Sequence, residues 1–362
     1  MQFTVAKSAL CQALALVGRV VEKRSTIPVL SNVKLHADAD SLTITGTDLN
    51  IALSVRIAAT VAEPGVATLP SKKLSEYSRL LAEGEVKFKV DDKAWATITA
   101  GRARTRISGM SAESFPEMPA APESSLAVPV GPLLALIKRT QLAITTVESR
   151  FTLNGALFEH SGGRLQLVAT DGHRLAFTSA ELPGDQTTKF ILPLSAIKNL
   201  PQLSSGAETV ALSQDDNHLY FRTGETLLVA RKVTGNFPDY LRVLPKESKV
   251  VVTLNRAELA GALSRVAQFA DERSRSVKLS LKDGALEVFA ATVEAGESTE
   301  AVQCDYSGSP MEMGFNAQYL SEFLGVVDTE AVELRLNDAK SAGEFRPAGA
   351  ADYRYVVMPM RI

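Results

Sequence analysis

Ser41-Leu-Thr-Ile-Thr-Gly-Thr-Asp48 reads as one strand and the turn that ends it. Leu42 and Ile44 alternate with Thr43 and Thr45, the period of a strand with one apolar face, and Gly46-Thr47-Asp48 carries turn chemistry. The stretch returns as Arg164-Leu-Gln-Leu-Val-Ala-Thr-Asp171 and, more loosely, as Ala285-Leu-Glu-Val-Phe-Ala-Ala-Thr292. Thr47, Thr170 and Thr292 are spaced by 123 and 122 residues. That is the length of a domain, not of a solenoid unit of about 20–50 residues.

Other signals keep the same register. Leu69-Pro70, Leu192-Pro193 and Phe315-Asn316 each open a helical run, and Val5, Val130 and Leu254 each close a short apolar run before one. Phe115-Pro116-Glu117 returns as Phe237-Pro238-Asp239, and Met358-Pro359-Met360 holds the same place in a third copy. The spacing predicts three domains, 1–121, 122–246 and 247–362, with Pro-containing connectors at Met118–Pro122 and Val243–Ser248.

Of the 362 residues 45% are hydrophobic and 22% charged, enough apolar side chains for a core in each domain. No apolar run approaches the ~18 residues of a membrane span. Met1-Gln-Phe-Thr-Val leads straight into a strand, so no signal peptide is expected. Cys11 and Cys304 fall at unmatched places in their repeats, which argues against a disulfide framework and for the cytoplasm. Four scattered histidines give no metal spacing, and no cofactor is expected.

Within the first copy, Leu10, Leu14, Val17 and Val21 form a helical stripe from Ala6 to about Val21. Strands follow at Val29–His36, Ser41–Thr47 and Ile51–Val61. The order then repeats: strand Val66–Leu69, helix Ser71–Leu81, and strands Glu85–Val90, Trp95–Ala100 and Arg102–Gly109. Each domain is thus two β-α-β-β-β halves, and the chain carries six helices, near 7–24, 71–82, 132–143, 195–203, 256–268 and 317–327. These segments hold twelve Lys or Arg against four Glu, although the chain as a whole has a net charge of −2. Basic helices on an acidic body draw a polyanion to one surface; the plainer reading is solvated helix charge. Tandem copies can form an arc with one face inward, and two arcs can close with two-fold symmetry around a positively charged hole. Duplex DNA, with one charge per ~1.7 Å, fits such a hole without base contacts.

With these features the chain resembles the bacterial DNA polymerase III β subunits, the sliding clamps. The resemblance is carried by Met1-Gln-Phe-Thr-Val, Thr26-Ile-Pro-Val-Leu30, Leu42–Asp48, Leu153-Asn-Gly155, Ala169-Thr-Asp-Gly-His-Arg-Leu-Ala176, Phe237-Pro-Asp-Tyr240, Arg242-Val-Leu-Pro245, Gly314-Phe-Asn316 and Tyr355-Val-Val-Met-Pro-Met-Arg361. It implies an α+β fold of three DNA-clamp domains, closing as a head-to-tail homodimeric ring with helices inside and sheets outside. It implies a cytoplasmic, nucleoid-associated processivity factor that encircles duplex DNA. Its partners would be the polymerase III catalytic subunit, the clamp loader, and replication and repair proteins carrying a clamp-binding peptide, with no membrane involved.

By the same resemblance, Leu153, Thr170, Gly172, His173, Arg174, Leu175, Pro238, Arg242 and Val243 line one part of a partner-peptide pocket. Asn316, Tyr319, Val356, Val357, Met358, Pro359, Met360 and Arg361 line the other. Such a set suits a short peptide with Leu or Phe anchors, about two-thirds of the residues touching it while the rest of the terminal strand packs inward. Arg24, Lys72, Lys73, Lys138, Arg150 and Lys198 are expected to face DNA. At the dimer seam, Arg102, Arg104 and Arg106 share one face of a strand. Glu294, Glu297 and Glu300 are expected opposite them, with Ile107 and Phe269 as apolar contacts. Two alternatives come from other classes: an enzyme with His173 as base and Asp171 as its orienter, and an open three-domain DNA-binding scaffold. No Gly-x-Ser-x-Gly, P-loop or metal cluster supports the first.

Overall fold

The computed structural model describes residues 1–22, 26–123 and 125–361. Six β-α-β-β-β units follow one another along the chain. The first is β1 (Gln2–Ala6), α1 (Lys7–Val17), β2 (Asn32–Asp38), β3 (Ser41–Thr47) and β4 (Ile51–Ala58), trailed by a short β5 (Thr60–Glu63). The second is β6 (Gly65–Pro70), α2 (Ser71–Leu80), β7 (Glu85–Val90), β8 (Trp95–Ala100) and β9 (Ala103–Ser108). The third is β10 (Leu126–Pro129), α3 (Val130–Thr140), β11 (Gly155–Ser161), β12 (Arg164–Thr170) and β13 (Arg174–Glu181). The fourth is β14 (Thr188–Pro193), α4 (Leu194–Leu203), β15 (Thr209–Gln214), β16 (His218–Thr223) and β17 (Thr226–Arg231). The fifth is β18 (Val250–Asn255), α5 (Arg256–Val266), β19 (Ser276–Lys282), β20 (Ala285–Thr292) and β21 (Gly296–Gln303). The sixth is β22 (Met311–Asn316), α6 (Ala317–Val326), β23 (Ala331–Leu336), β24 (Gly343–Pro347) and β25 (Tyr353–Val357).

The helices form where apolar side chains recur at helical spacing. Leu10, Leu14 and Val17 of α1 are fully buried, as are Leu259, Leu263 and Val266 of α5. Asn255 and Asn316 cap α5 and α6, their side-chain oxygens accepting the N–H of Glu258 and of Gln318. α1 stops at Val17, short of the expected Val21, so Arg19 lies beyond it. Lys23 and Arg24 lie outside the described residues.

Two strand expectations change. Pro28–Ser31 is a 3-10 turn, because Pro28 has no N–H for a ladder, and β2 starts only at Asn32. Ile51–Val61 is two strands. β4 pairs with β3, whereas β5 leaves that sheet and pairs with β1.

In every unit the first strand joins the other half's sheet. β1 pairs with β7 and β6 with β2; β10 pairs with β15 and β14 with β11; β18 pairs with β23 and β22 with β19. Two further pairings fuse these sheets. β4 lies antiparallel to β17, giving the eight-stranded order β10-β15-β16-β17-β4-β3-β2-β6. β13 lies antiparallel to β25, giving β14-β11-β12-β13-β25-β24-β23-β18. The remaining sheets are β5-β1-β7-β8-β9, which ends on β9, and β21-β20-β19-β22, which ends on β21.

The chain forms two compact units. One, Met1–Gly131 with Ser195–Lys232, holds the five-stranded sheet and the eight-stranded sheet ending on β10 and β6. Its core includes Phe3 stacked on Phe88 at 4.8 Å. The other, Pro132–Leu194 with Val233–Ile362, holds the other two sheets and a stack of Phe323 on Tyr355 at 5.2 Å.

Candidate functional site

The turn between β12 and β13 is built by its own side chains. Thr170 Oγ1 donates to the Arg174 carbonyl at 2.7 Å and accepts the Gly172 N–H at 3.1 Å. Asp171 Oδ1 accepts the N–H groups of His173 and Arg174 at 2.9 and 3.0 Å. Gly172 sits at φ 89°, the left-handed region where a side chain is strained. Thr-Asp-Gly is therefore turn chemistry.

This arrangement removes the Asp171–His173 dyad. Oδ1 of Asp171 is taken by the backbone and Oδ2 by the Arg174 Nε at 3.1 Å, while His173 is exposed. The carboxylate orients a turn, not an imidazole.

Arg174 lies beneath the turn, 9% exposed, instead of on the pocket rim. Its guanidinium lies 4.1 Å from the centroid of the Tyr319 ring, donates to the Tyr355 hydroxyl at 3.2 Å and ion-pairs with Glu322. Burial disfavours its charge, but Tyr355 and Glu322 outweigh burial and shift it upward. Burial raises the Tyr355 and Tyr319 phenols, so both stay protonated. The Tyr355 hydroxyl accordingly donates to the Tyr319 carbonyl at 3.1 Å.

The C-terminal tail runs on from β25 beside this turn. The Met358 N–H donates to the His173 carbonyl at 2.9 Å, and the Met360 N–H to the Gly314 carbonyl at 2.9 Å. These bonds hold Met358, Pro359 and Met360 half-buried, with Arg361 exposed. The connector after β17 brings Pro238 and Arg242, both exposed, and half-buried Val243. Arg242 pairs with Asp239 at 2.9 Å. Asn316 and Tyr319 stand at the start of α6, the Asn316 amide being used as the cap. Leu153 is half-buried at the end of the 3-10 stretch Glu148–Leu153.

Three residues expected in the pocket belong to a core instead. Val356 and Val357 are 0% exposed and Leu175 is 2%. Leu175 and Val356 pack with Leu157, Val168, Tyr240 and Leu244, beneath the connector. Sequence reading missed Leu241, 62% exposed between two expected pocket residues. Its signal was a leucine in a polar connector beside Pro238 and Arg242.

Arg150 does not stand among the helix cations. Its Nη1 donates to the Asp171 carbonyl at 2.7 Å, so it braces the Thr170–Arg174 turn. Of the helix cations, Lys138 is shared with Asp328 at 3.4 Å and Lys72 with Glu76 at 3.9 Å. Lys7, Arg139 and Arg265 are paired with Glu83, Asp352 and Glu300. Lys73 and Lys198 are exposed and make no ion pair among the described residues. The surface charge available on the helices is thus smaller than the composition suggests.

At the expected seam, β9 and β21 are both sheet edges. Arg102, Arg104 and Arg106 are exposed, Arg106 pairing with Asp91 at 2.9 Å. Ile107 is 4% exposed and packs into its own domain, because alternation turns it away from the arginines. Glu294 lies in the turn before β21 and Glu297 is exposed on it. Glu300, three residues on, points to the opposite face, where Arg265 of α5 holds it. Phe269 is half-buried after α5.

Three family models match consecutive parts of the chain: the DNA polymerase III beta subunit N-terminal domain over residues 1–119, its central domain over 127–239 and its C-terminal domain over 241–361. The chain belongs to the DNA polymerase III beta subunit family. The beta sliding clamp of Pseudomonas aeruginosa is 38% identical over the whole of both chains, and that of Caulobacter vibrioides 37%. Among solved structures, the DNA polymerase III subunit beta of P. aeruginosa superposes with a TM-score of 0.95 at 37% identity, covering all of both chains. The sliding clamp of Bacillus subtilis gives 0.95 at 27% identity, covering all of this chain and 99% of its own. The chain is thus a DNA sliding clamp, an accessory processivity factor of replication and not itself a catalyst. Family membership implies a homodimer whose partners are DNA, the polymerase and other clamp-binding proteins. In a clamp, the fused β-sheets and the braced Thr170–Arg174 turn are parts of a binding scaffold.

Proposed function

We propose that two copies of this clamp close head to tail into a ring around duplex DNA, β9 of one copy lying antiparallel to β21 of the other. One observation carries this reading. Inside the chain, the last strand of one domain's first half pairs with the last strand of the next domain's second half, as β4 with β17 and β13 with β25. That rule leaves β21 and β9, and both are unpaired edges. The domains joined by it are 1–121, 122–246 and 247–362. Arg102 and Arg104 on one edge and Glu294 and Glu297 on the other supply complementary charge, with Phe269 beside them.

Lys72, Lys73, Lys138, Arg150 and Lys198 face the DNA, with Lys73 and Lys198 the freest to reach phosphates. Arg24, outside the described residues, is assigned the same role from sequence alone. Sliding needs loose contacts, and topology supplies retention. The peptide pocket is formed by His173, Pro238, Arg242, Val243, Tyr319 and Met358 to Arg361, around the turn at Gly172. Its floor is the buried Leu175–Val356 pair, which shapes the groove without forming its surface. Short peptides of the polymerase III catalytic subunit, the clamp loader and repair proteins dock there in turn, with the loader opening the ring. The work is cytoplasmic, at the nucleoid; no described helix is long and apolar enough to cross a membrane.

The test is retention after loading by the cognate loader, on nicked circular DNA and on the same DNA linearised. Retention on circles with rapid loss from linear ends is expected. Equal retention on both would mean contact binding by an open scaffold.

A further inference from the structure

The β4–β17 junction carries a second edition of the turn at β13–β25. Thr47 Oγ1 donates to the Ile51 carbonyl at 2.9 Å and accepts the Leu49 N–H at 3.0 Å. Asp48 Oδ1 accepts the N–H groups of Asn50 and Ile51, both at 2.8 Å. The Arg231 N–H donates to the Asn50 carbonyl at 2.8 Å, as Met358 does to His173. Leu49 holds φ 75° where Gly172 holds 89°. A leucine kept left-handed is strained, and such strain concentrates at ligand sites. Its side chain is 52% exposed.

The outer faces of the two junctions differ. At β13–β25 the positions beneath the connector are Leu157, Val168 and Leu175, packed against Tyr240. Their counterparts, 123 residues earlier, are Lys34, Thr45 and Ala52. The equivalent connector, Phe115 to Pro119, crosses above them: Lys34 reaches over the Phe115 ring, its ammonium 5.4 Å from the centroid, while Ala52 is smaller than Leu175 and Thr45 more polar than Val168, so space is left unfilled. A cavity of about 140 Å³ results, lined among others by Thr45, Ala52, Phe115, Met118, Val229 and Arg231. A space of about 150 Å³ holds a benzene ring.

We infer that this cavity is a second peptide-docking site, taking one Leu or Phe side chain of an extended segment whose acidic residue, two positions on, pairs with Arg231. The charge argument fixes the class of partner. Arg231 is exposed, makes no ion pair among the described residues and lies across β16–β17 from His218. Glu117 lines the connector side, so the acidic residue points away from it, toward β17. The inference leans on the reading of the β13–β25 turn as a peptide pocket, and its test separates the two.

The probe is the capped peptide acetyl-Gly-photoleucine-Gly-Asp-Gly-amide, irradiated with the full-length clamp, with cross-links mapped by mass spectrometry. Cross-links in segments 45–52, 115–119 and 218–231 are expected. Ala52→Phe, which fills the cavity from the outer face of β4, is expected to abolish them. Arg231→Glu, at an exposed site that folding does not need, is expected to cut them about tenfold. Cross-links confined to 170–175, 237–245 and 353–361 overturn the second site and leave the first standing. Cross-links confined to the 45–52 group support the second site and remove the first. Cross-links in neither group overturn both, and labelling in the 45–52 group that survives both substitutions overturns the docking geometry.

Discussion

Arg174 and Glu322 form an ion pair across 148 residues of chain, fastening the turn before β13 to helix α6. The same guanidinium lies against the Tyr319 ring and bonds to Tyr355. Two walls of the proposed peptide pocket therefore share one buried cation. A charge buried in this way is stable only while every partner is present.

Arg174→Ala is expected to lower the unfolding free energy by about 3 kcal/mol, because Glu322 and Tyr355 lose their partner. Peptide affinity should fall with it. Arg174→Lys keeps the charge but loses the planar stack and the fork, so it should recover only part of both. Denaturant unfolding and peptide anisotropy measure the two effects. An Arg174→Ala variant within about 0.5 kcal/mol of the parent would show that the network adds no stability.

Charge reversal tests the seam. Arg104→Glu is expected to weaken the dimer about tenfold, and Glu297→Arg in the same chain to restore it, since each ring seam then pairs opposite charges again. Ile107→Ala should instead cost about 2–5 kcal/mol of folding stability, because the side chain is core. Analytical ultracentrifugation at two salt concentrations separates these outcomes. No change of the dimer constant in either charge variant counts against pairing of β9 with β21.

The helix cations should not contribute equally. Lys73→Glu and Lys198→Glu are expected to slow loading and to reduce the salt slope of DNA binding by about 0.9 for each phosphate no longer neutralised. Lys138→Glu should do less, because its ammonium already lies 3.4 Å from Asp328. Retention on closed circles should survive all three substitutions. A failure of that retention would mean that phosphate binding, not topology, holds the ring on DNA.

Asp215 predicts an acid-side dependence. Desolvation raises its pKa, but the Tyr220 hydroxyl and the N–H groups of Asn217 and His218 outweigh this and bring it down to about 2. An unfolded Asp titrates near 3.9. The contribution is therefore fully present above about pH 4–5 and is lost as pH falls toward 2. The difference in thermal midpoint between the parent and Asp215→Asn should shrink over that range. A constant difference from pH 5 to pH 2 would remove the titration argument.

The repeat and all six helices were legible because short-range signals carry them: apolar spacing, and Leu-Pro or Asn at a helix start. The turn at Thr170 was legible for the same reason, since its bonds span four residues. The parting of β5 from β4 was not, because Ala59-Thr60 carries no turn residue and the separation is made by β1, far away in sequence. Burial of Val356 and Val357 was hidden similarly, Val356 being covered by the connector from the preceding repeat. The inward direction of Ile107 and the divergence of Glu297 and Glu300 were different. Strand parity states both, and charge complementarity alone had suggested a common face. The strand exchange between halves has no local signal, because each first strand reads the same whichever sheet it joins.

That exchange has a consequence for biosynthesis. β4 emerges from the ribosome with one side unpaired, and its partner β17 does not exist until Thr226 to Arg231 have been translated. β13 waits likewise for β25 at the end of the chain. The nascent polypeptide thus carries a raw strand edge through much of its synthesis, a standing invitation to pair with a neighbouring nascent chain. The exposed charge of Arg56 on β4 then gains a role as a gatekeeper during that interval.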